Sequence, residues 1–357
     1  MTCIVGQRAA ISTLQTALSH GRTQHAWVFR GPRGVGKFTT AIEFARHLLL
    51  DDLRGREFGL AVADCEFQHP DLHVIMKEDA AWSNNPSLAS KKQTNIPVDL
   101  LRERMIGGRT ADERDHDAPV FKTSVSGGNK VFILDEAELL DEIAQNALLK
   151  ILEEPPLGTF VVLVTSREDR LLPTVQSRCQ AVGFSLLDSQ DMECWAKTVD
   201  PEVSVADLSW SIRYSGGSPG DVCESIESEL PRLAEKLGDF IHAAGSGDSH
   251  CGPVRHMVEF VENFVQQQLD KNSLCSKEAA NRRGFSIILK LFGSEVQSLL
   301  GDDRDSSSIG IRAAAVLADI ESQVRTNISI KVLLESLAVR WVHLCGGTAI
   351  LMPAWGE

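Results

Sequence analysis

The chain has 357 residues, 43% of them apolar and 24% charged, with a formal net charge of −13. That length supports two or three domains, each with its own core, and the composition is that of a globular protein. The acidic balance argues against a large autonomous nucleic-acid surface, which needs clustered Lys and Arg, and makes protein partners the default.

In chain order, Gln24–Arg30 (QHAWVFR) reads as a strand running straight into the glycine loop GPRGVGKFT at 31–39. Apolar residues at Ala41, Ile42, Ala45, Leu48 and Leu49 then predict a helix over Lys37–Leu50. His73–Met76, Val131–Leu134 and Phe160–Val164 are three further strands. Residues 141–154 read as a helix with Ile143, Ala147, Leu148, Ile151 and Leu152 on one face, stopped by Pro155-Pro156. Alternating strands and helices imply an α/β domain, a parallel sheet flanked by helices. Two stretches interrupt it: 77–95 is polar, and 107–129 reads as an extended surface loop. Beyond about 185 the strand signal fades into short helices around the turn Gly216-Gly217-Ser218-Pro219-Gly220. A Gly/Ser-rich linker is expected at 243–253, and helical periodicity resumes from 254 to about 346, a bundle-forming third.

No apolar run approaches the roughly 18–20 residues that cross a bilayer. MTCIVGQRAAIS lacks a charged head followed by an apolar stretch, so a cytoplasmic location without membrane contact is expected. The cysteines at 3, 65, 179, 194, 223, 251, 275 and 345 contain no C-x-x-C pair, which argues against a zinc ribbon or dithiol centre. His69, Asp71 and His73 alternate along one strand, but three residues on one short strand rarely enclose an ion, and no metal site is expected there.

Gly31, Gly34 and Gly36 let main-chain N–H groups approach a polyphosphate, and Lys37 would pair with its β- and γ-phosphates. The loop lies between a strand and a helix, the context that this pattern needs. Phe38, however, stands where a Ser or Thr hydroxyl holds Mg²⁺. Thr39 is the nearest hydroxyl, rotated by about 100° around the helix axis. Asp135 and Glu136 end an apolar strand, where the Asp would order Mg²⁺ and the Glu polarise water; the bland reading is an acidic pair at a helix start. Nucleotide binding thus stays open, while efficient hydrolysis is not expected.

Taken together, the chain resembles the AAA+ clamp-loader subunits of bacterial DNA polymerase III. The resemblance rests on IVGQ at 4–7, HAWVFRGPRGVGK at 25–37, HPDLHVI at 69–75, KVFILDEAELL at 130–140, NALLKILEEPP at 146–156 and LLPTVQSRCQ at 171–180. GGSPG at 216–220 extends it, and NISIKVLLESL at 327–337 weakly matches the last collar helix. It implies an AAA+ domain over 1–185, a small helical lid over 186–247 and a helical collar over 248–357. It also implies a subunit of a five-membered ring that opens a sliding clamp and places it on primed DNA, with gamma/tau and delta subunits as partners. Arg178 of the Ser-Arg-Cys triplet would be an arginine finger acting in trans, and Thr165 occupies the first-sensor position. Three departures follow: Phe38 in the loop, Gly220 and Asp221 where a second-sensor arginine is expected, and only Cys65 left of a zinc-binding cysteine group, so no zinc is expected. Two losses in one ATP site favour the non-motor, delta-prime branch. The persistence of Lys37, Asp135 and Glu136 keeps ATP with Mg²⁺ open as a ligand, Glu136 then being vestigial. An active gamma/tau-type motor and another AAA+ DNA-remodelling ATPase are the alternatives.

Overall fold

A computed structural model describes residues 2–19, 23–50, 58, 62–63, 67–90, 94–199, 202–242, 252–272, 275–301, 304–324 and 328–344. The chain divides into two compact units, Met1–Glu224 and Ser225–Glu357.

The first unit is built on five parallel strands: β1 (Ala26–Arg30), β2 (Leu72–Ile75), β3 (Lys130–Leu134), β4 (Thr159–Thr165) and β5 (Gln180–Gly183). Their order across the sheet is β2-β3-β4-β1-β5. Strand residues alternate between two cores. Val28, Phe132, Leu134, Val161 and Leu163 join one cluster; Trp27, Phe29, Val131, Ile133, Val162 and Val164 join the other. Burial on both faces explains why β3 reads as an unbroken apolar run rather than an alternating one.

Helices α1 (Arg8–Ser19) and α2 (Lys37–Leu49) belong to the second cluster. Trp27 meets Phe44 of α2 edge-on at 5.3 Å, and burying one such ring contributes roughly 2–3 kcal/mol. On the other face lies α3 (Glu142–Glu153), started by Asp141, whose carboxylate accepts from the Ala144 N–H at 2.7 Å. The stripe expected for this helix is corrected by one position. Ala144, Gln145, Leu148, Ile151 and Leu152 face inward, while Ile143 is 64% exposed. A polar residue takes the inward place because its amide is fully used. Gln145 donates to Leu140 O and Arg170 O and accepts from Leu172 N–H, tying α3 to the segment that leads into α4 (Pro173–Gln176).

Both interrupting segments carry short local structure among their described residues, so 107–129 is not extended along its whole length. Residues 77–95 contain a 3-10 turn at Lys77–Trp82 and a helical turn at Pro86–Ala89. Residues 107–129 contain a two-residue hairpin, Gly108–Arg109 with Asp115–His116, and a 3-10 turn at Pro119–Phe121. Asp71 pins the end of that segment. Its buried carboxylate accepts the N–H groups of Val125 and Ser126, at 2.7 and 3.0 Å, and the Ser126 hydroxyl. Burial alone would raise its pKa, but these donors outweigh burial and hold it below the usual value. The HPDLH carboxylate is therefore a structural acceptor. After β5 and a short helix at Ser189–Ala196 come α5 (Val205–Ser215) and α6 (Pro219–Glu227), joined by the GGSPG turn.

The second unit is helical: α7 (Leu230–His242), α8 (Gly252–Lys271), α9 (Lys277–Gly301), α10 (Arg304–Gln323) and α11 (Ile330–Leu344). Its core centres on Trp341, which is fully buried, meets Phe292 edge-on at 4.7 Å and donates its indole N–H to Ile241 O at 3.2 Å. The linker expected over 243–253 lies outside the described residues as far as 251, and so does Cys65. No described helix is long and apolar enough to cross a membrane.

Candidate functional site

Parallel strands deliver the loops at their carboxyl ends to one edge of the sheet. The glycine loop follows β1 there, Asp135 follows β3, and Thr165 ends β4 opposite Arg30. Gly31, Gly34 and Gly36 have φ values of 143°, 75° and 92°, and Gly36 hands the chain directly to α2. Lys37 is 7% exposed, with its ammonium donating to Gly31 O at 2.9 Å and Pro32 O at 2.5 Å. Burial lowers its pKa to about 8, against the opposing charges of Glu138 and Asp135. Phe38 is half-buried and packs on the core beneath α2. Thr39 is half-buried beside it, and the next residue, Thr40, donates its hydroxyl to Gly36 O at 2.8 Å.

Across the loop, burial raises the Asp135 pKa to about 6, with Glu136 and Glu138 adding to it and Lys37 opposing. Asp135 accepts the Glu136 N–H at 2.9 Å. Glu136 adopts a left-handed backbone, φ 48°, and its carboxylate is ion-paired with Lys77, which follows β2. Burial works to lower the Lys77 pKa, but the Glu136 charge and hydrogen bond raise it overall. Sequence reading missed Lys77, since only the pairing of β2 with β3 brings it to the acidic pair. Thr165 is fully buried, and its hydroxyl accepts the Arg167 N–H at 3.0 Å.

Two further contacts hold the loop. Gln7 donates to Val35 O at 3.2 Å and Ser185 O at 2.7 Å, and accepts the Ser185 N–H at 3.1 Å. The GGSPG turn packs main chain to main chain, with Gly220 N–H donating to Gly34 O at 2.8 Å and the Ser218 hydroxyl to Arg33 O at 3.0 Å. A Cβ on Gly34 would stand 2.5 Å from Ser218 Oγ, and one on Gly220 2.6 Å from Gly34 Cα. Position 220, where a second-sensor arginine is expected, therefore holds the turn against the loop and admits no side chain as it stands.

These residues fit a polyphosphate better than its magnesium. The loop N–H groups and Lys37 are the right donors for phosphate oxygens. For the metal, Phe38 offers no oxygen, burial favours the protonated form of Asp135, and Glu136 is engaged by Lys77. No group of three or more His, Cys, Asp and Glu among the described residues could hold a metal ion.

Arg178 is elsewhere. It lies two residues before the amino end of β5, where Gln180 pairs with Trp27, three residues or about 10 Å below Arg30 at the head of the glycine loop. It therefore stands toward the opposite edge of the sheet from its own loop. Its neighbour Cys179 packs on the core, and burial pushes that thiol up to about 12, so it anchors rather than reacts. The Arg178 guanidinium donates to Thr174 O at 2.8 Å, is ion-paired with Glu153 and is 34% exposed.

The family described as "DNA polymerase III, delta subunit" matches residues 6–188. The DNA polymerase III subunit delta' of Pseudomonas aeruginosa is 32% identical over 359 residues, covering 91% of this chain and 94% of the relative. The subunit gamma/tau of Mycobacterium tuberculosis is 31% identical over 246 residues, 68% of this chain; the match covers only 39% of the relative's length. A gamma subunit-related protein of Thermotoga maritima superposes with a TM-score of 0.47 at 16% identity, covering 94% of this chain and 99% of that one.

Proposed function

The chain belongs to the DNA polymerase III delta-subunit family, and from that membership we propose that it is the non-motor, delta-prime-like subunit of a clamp loader. Residues 1–185 would serve as its AAA+ domain, 186–247 as a lid and 248–357 as a collar that assembles with gamma/tau and delta subunits. The assembly would act on a sliding clamp and primer–template DNA in the cytoplasm. Within it the chain hydrolyses little or no ATP of its own and lends Arg178 to a neighbouring subunit's ATP site.

The observation that carries this reading is the separation of Arg178 from its own loop. A cation at the amino end of β5 cannot serve the Gly31–Lys37 loop at the carboxyl end of β1, yet it is accessible to a second chain. Lending an arginine in trans contributes on the order of 10³–10⁵ in rate where such fingers act. The state of the chain's own site supports the same division of labour, with Phe38, Gly220 and the Lys77–Glu136 pair each working against hydrolysis.

Arg178→Ala should fold normally and sharply reduce ATP turnover of the loader reconstituted with gamma/tau and delta subunits. An unchanged rate in that assembly would remove the finger role. The gamma/tau-type motor is the second reading, favoured by Lys37 and Asp135, which lie close enough to perturb each other's pKa. Steady DNA-stimulated hydrolysis by the isolated chain would select it.

A further inference from the structure

We propose that Glu153 is a positioning residue for Arg178, aiming its guanidinium before a neighbouring triphosphate arrives; this rests on the reading of Arg178 as a trans-acting finger. An arginine side chain has several rotatable bonds, and a finger that sweeps freely loses rate to disorder. Here the fork is held at two points. One nitrogen donates to Thr174 O at 2.8 Å, a carbonyl of α4, and the other is ion-paired with Glu153, the last residue of α3. Two fixed nitrogens fix the plane of a guanidinium, because its donors form a rigid fork.

The second hold comes from a different helix, so it has force only if α3 and α4 are registered to each other. They are. Gln145 of α3 bonds Arg170 O and the Leu172 N–H just before α4, and Gln176 in α4 donates to Glu168 O and Leu171 O at 3.0 and 2.8 Å. Leu148, Ile151 and Leu152 of α3 pack in the same cluster as Val175 of α4.

Glu153 is also the wrong residue for its position by local rules. The carboxyl end of a helix carries partial negative charge and favours cations, yet α3 ends on two glutamates, Glu153 and Glu154. Lys150 in the last turn offsets part of that charge, and Arg178 is the cation that Glu153 itself engages. The pair is half-exposed, 34% for Arg178 and 47% for Glu153, so it adds little stability and can yield to a competing triphosphate.

The test is a double-mutant cycle in the reconstituted loader. Glu153→Ala should lower kcat for ATP by roughly tenfold with little change in KM, as losing a partner that orients a functional group does. Glu153→Asp should restore part of it. In the Arg178→Ala background, Glu153→Ala should cause no further loss, because the carboxylate acts only through the arginine. The thermal midpoint of Glu153→Ala should be unchanged or slightly raised. The proposal is overturned if Glu153→Ala turns over like wild type while Arg178→Ala is impaired, or if the two losses multiply. If Arg178→Ala is itself unimpaired, the finger reading falls first and takes this one with it.

Discussion

Lys77 and Glu136, 59 residues apart in sequence, form an ion pair at the carboxyl ends of the neighbouring strands β2 and β3. On the proposed reading, the pair engages the carboxylate that would polarise a nucleophilic water. Together with Phe38 it would leave the chain's own site short at two points besides the second sensor, the metal and the base.

Those two deficiencies should be independent. Phe38→Thr alone restores a magnesium hydroxyl but leaves Glu136 engaged, and Lys77→Ala alone frees Glu136 but supplies no ligand. Neither variant should turn over ATP steadily as an isolated chain, whereas the double variant should show measurable magnesium-dependent release of phosphate. Phe38→Thr should also lose roughly 1–3 kcal/mol in urea unfolding, since the ring packs on the core under α2. Brisk hydrolysis by Phe38→Thr alone would show that the Lys77 pair is no obstacle.

The glycine loop was legible in the sequence because it is local: a few residue types at fixed spacing, between elements with clear periodicity, whereas the Ser-Arg-Cys triplet stood out only through the family resemblance. The inward face of α3 was legible only in part. Apolar periodicity placed Ile143 inside, and the structure puts Gln145 there because three main-chain groups need its amide. What could not be read were the partners of the functional residues. Lys77 reaches Glu136, Glu153 reaches Arg178 and Gly220 reaches Gly34 only through tertiary packing, and no spacing rule links those positions.

Asp135 should leave a signature in the pH dependence of stability. Its pKa rises from 3.8 unfolded to about 6 folded, so between those values the native state binds the proton more tightly. Its contribution favours folding at low pH and is lost as pH rises toward 6, by roughly 3 kcal/mol in the limit. Asp135→Asn cannot ionise. The difference in unfolding free energy between variant and wild type should therefore grow from pH 4 to 6 and level off above. Urea titrations across that range would show it, and a flat difference would mean that burial does not hold this carboxyl near its neutral form.

Packing of the GGSPG turn on the glycine loop gives Gly34 and Gly220 a larger penalty for gaining a methyl than Gly216 has. Gly216 has φ 63° but open space around its missing Cβ, so Gly216→Ala should cost about 1 kcal/mol from backbone strain. Gly220→Ala must separate two main chains now too close for a Cβ, and roughly 2–4 kcal/mol is expected. Denaturant midpoints of the two variants give the comparison. Equal costs would mean that the turn lifts from the loop freely, and that an arginine at 220 could be accommodated.

Asp71 makes the sharpest separation between a metal-binding and a structural reading of HPDLH. Its carboxylate takes three donors from Val125 and Ser126, at the end of the 107–129 segment. Asp71→Ala would strand the two N–H groups and the hydroxyl, at a cost of roughly 2–4 kcal/mol, and should open the 107–129 segment to protease before the rest of the unit. Because its folded pKa lies below 3.8, its stabilisation is present above that value and is lost as pH falls below it, opposite in sign to Asp135. Chelation with EDTA should leave the thermal midpoint of the wild-type chain where it was. A midpoint that drops on chelation and recovers with an added divalent cation would mean that this carboxylate serves a metal after all.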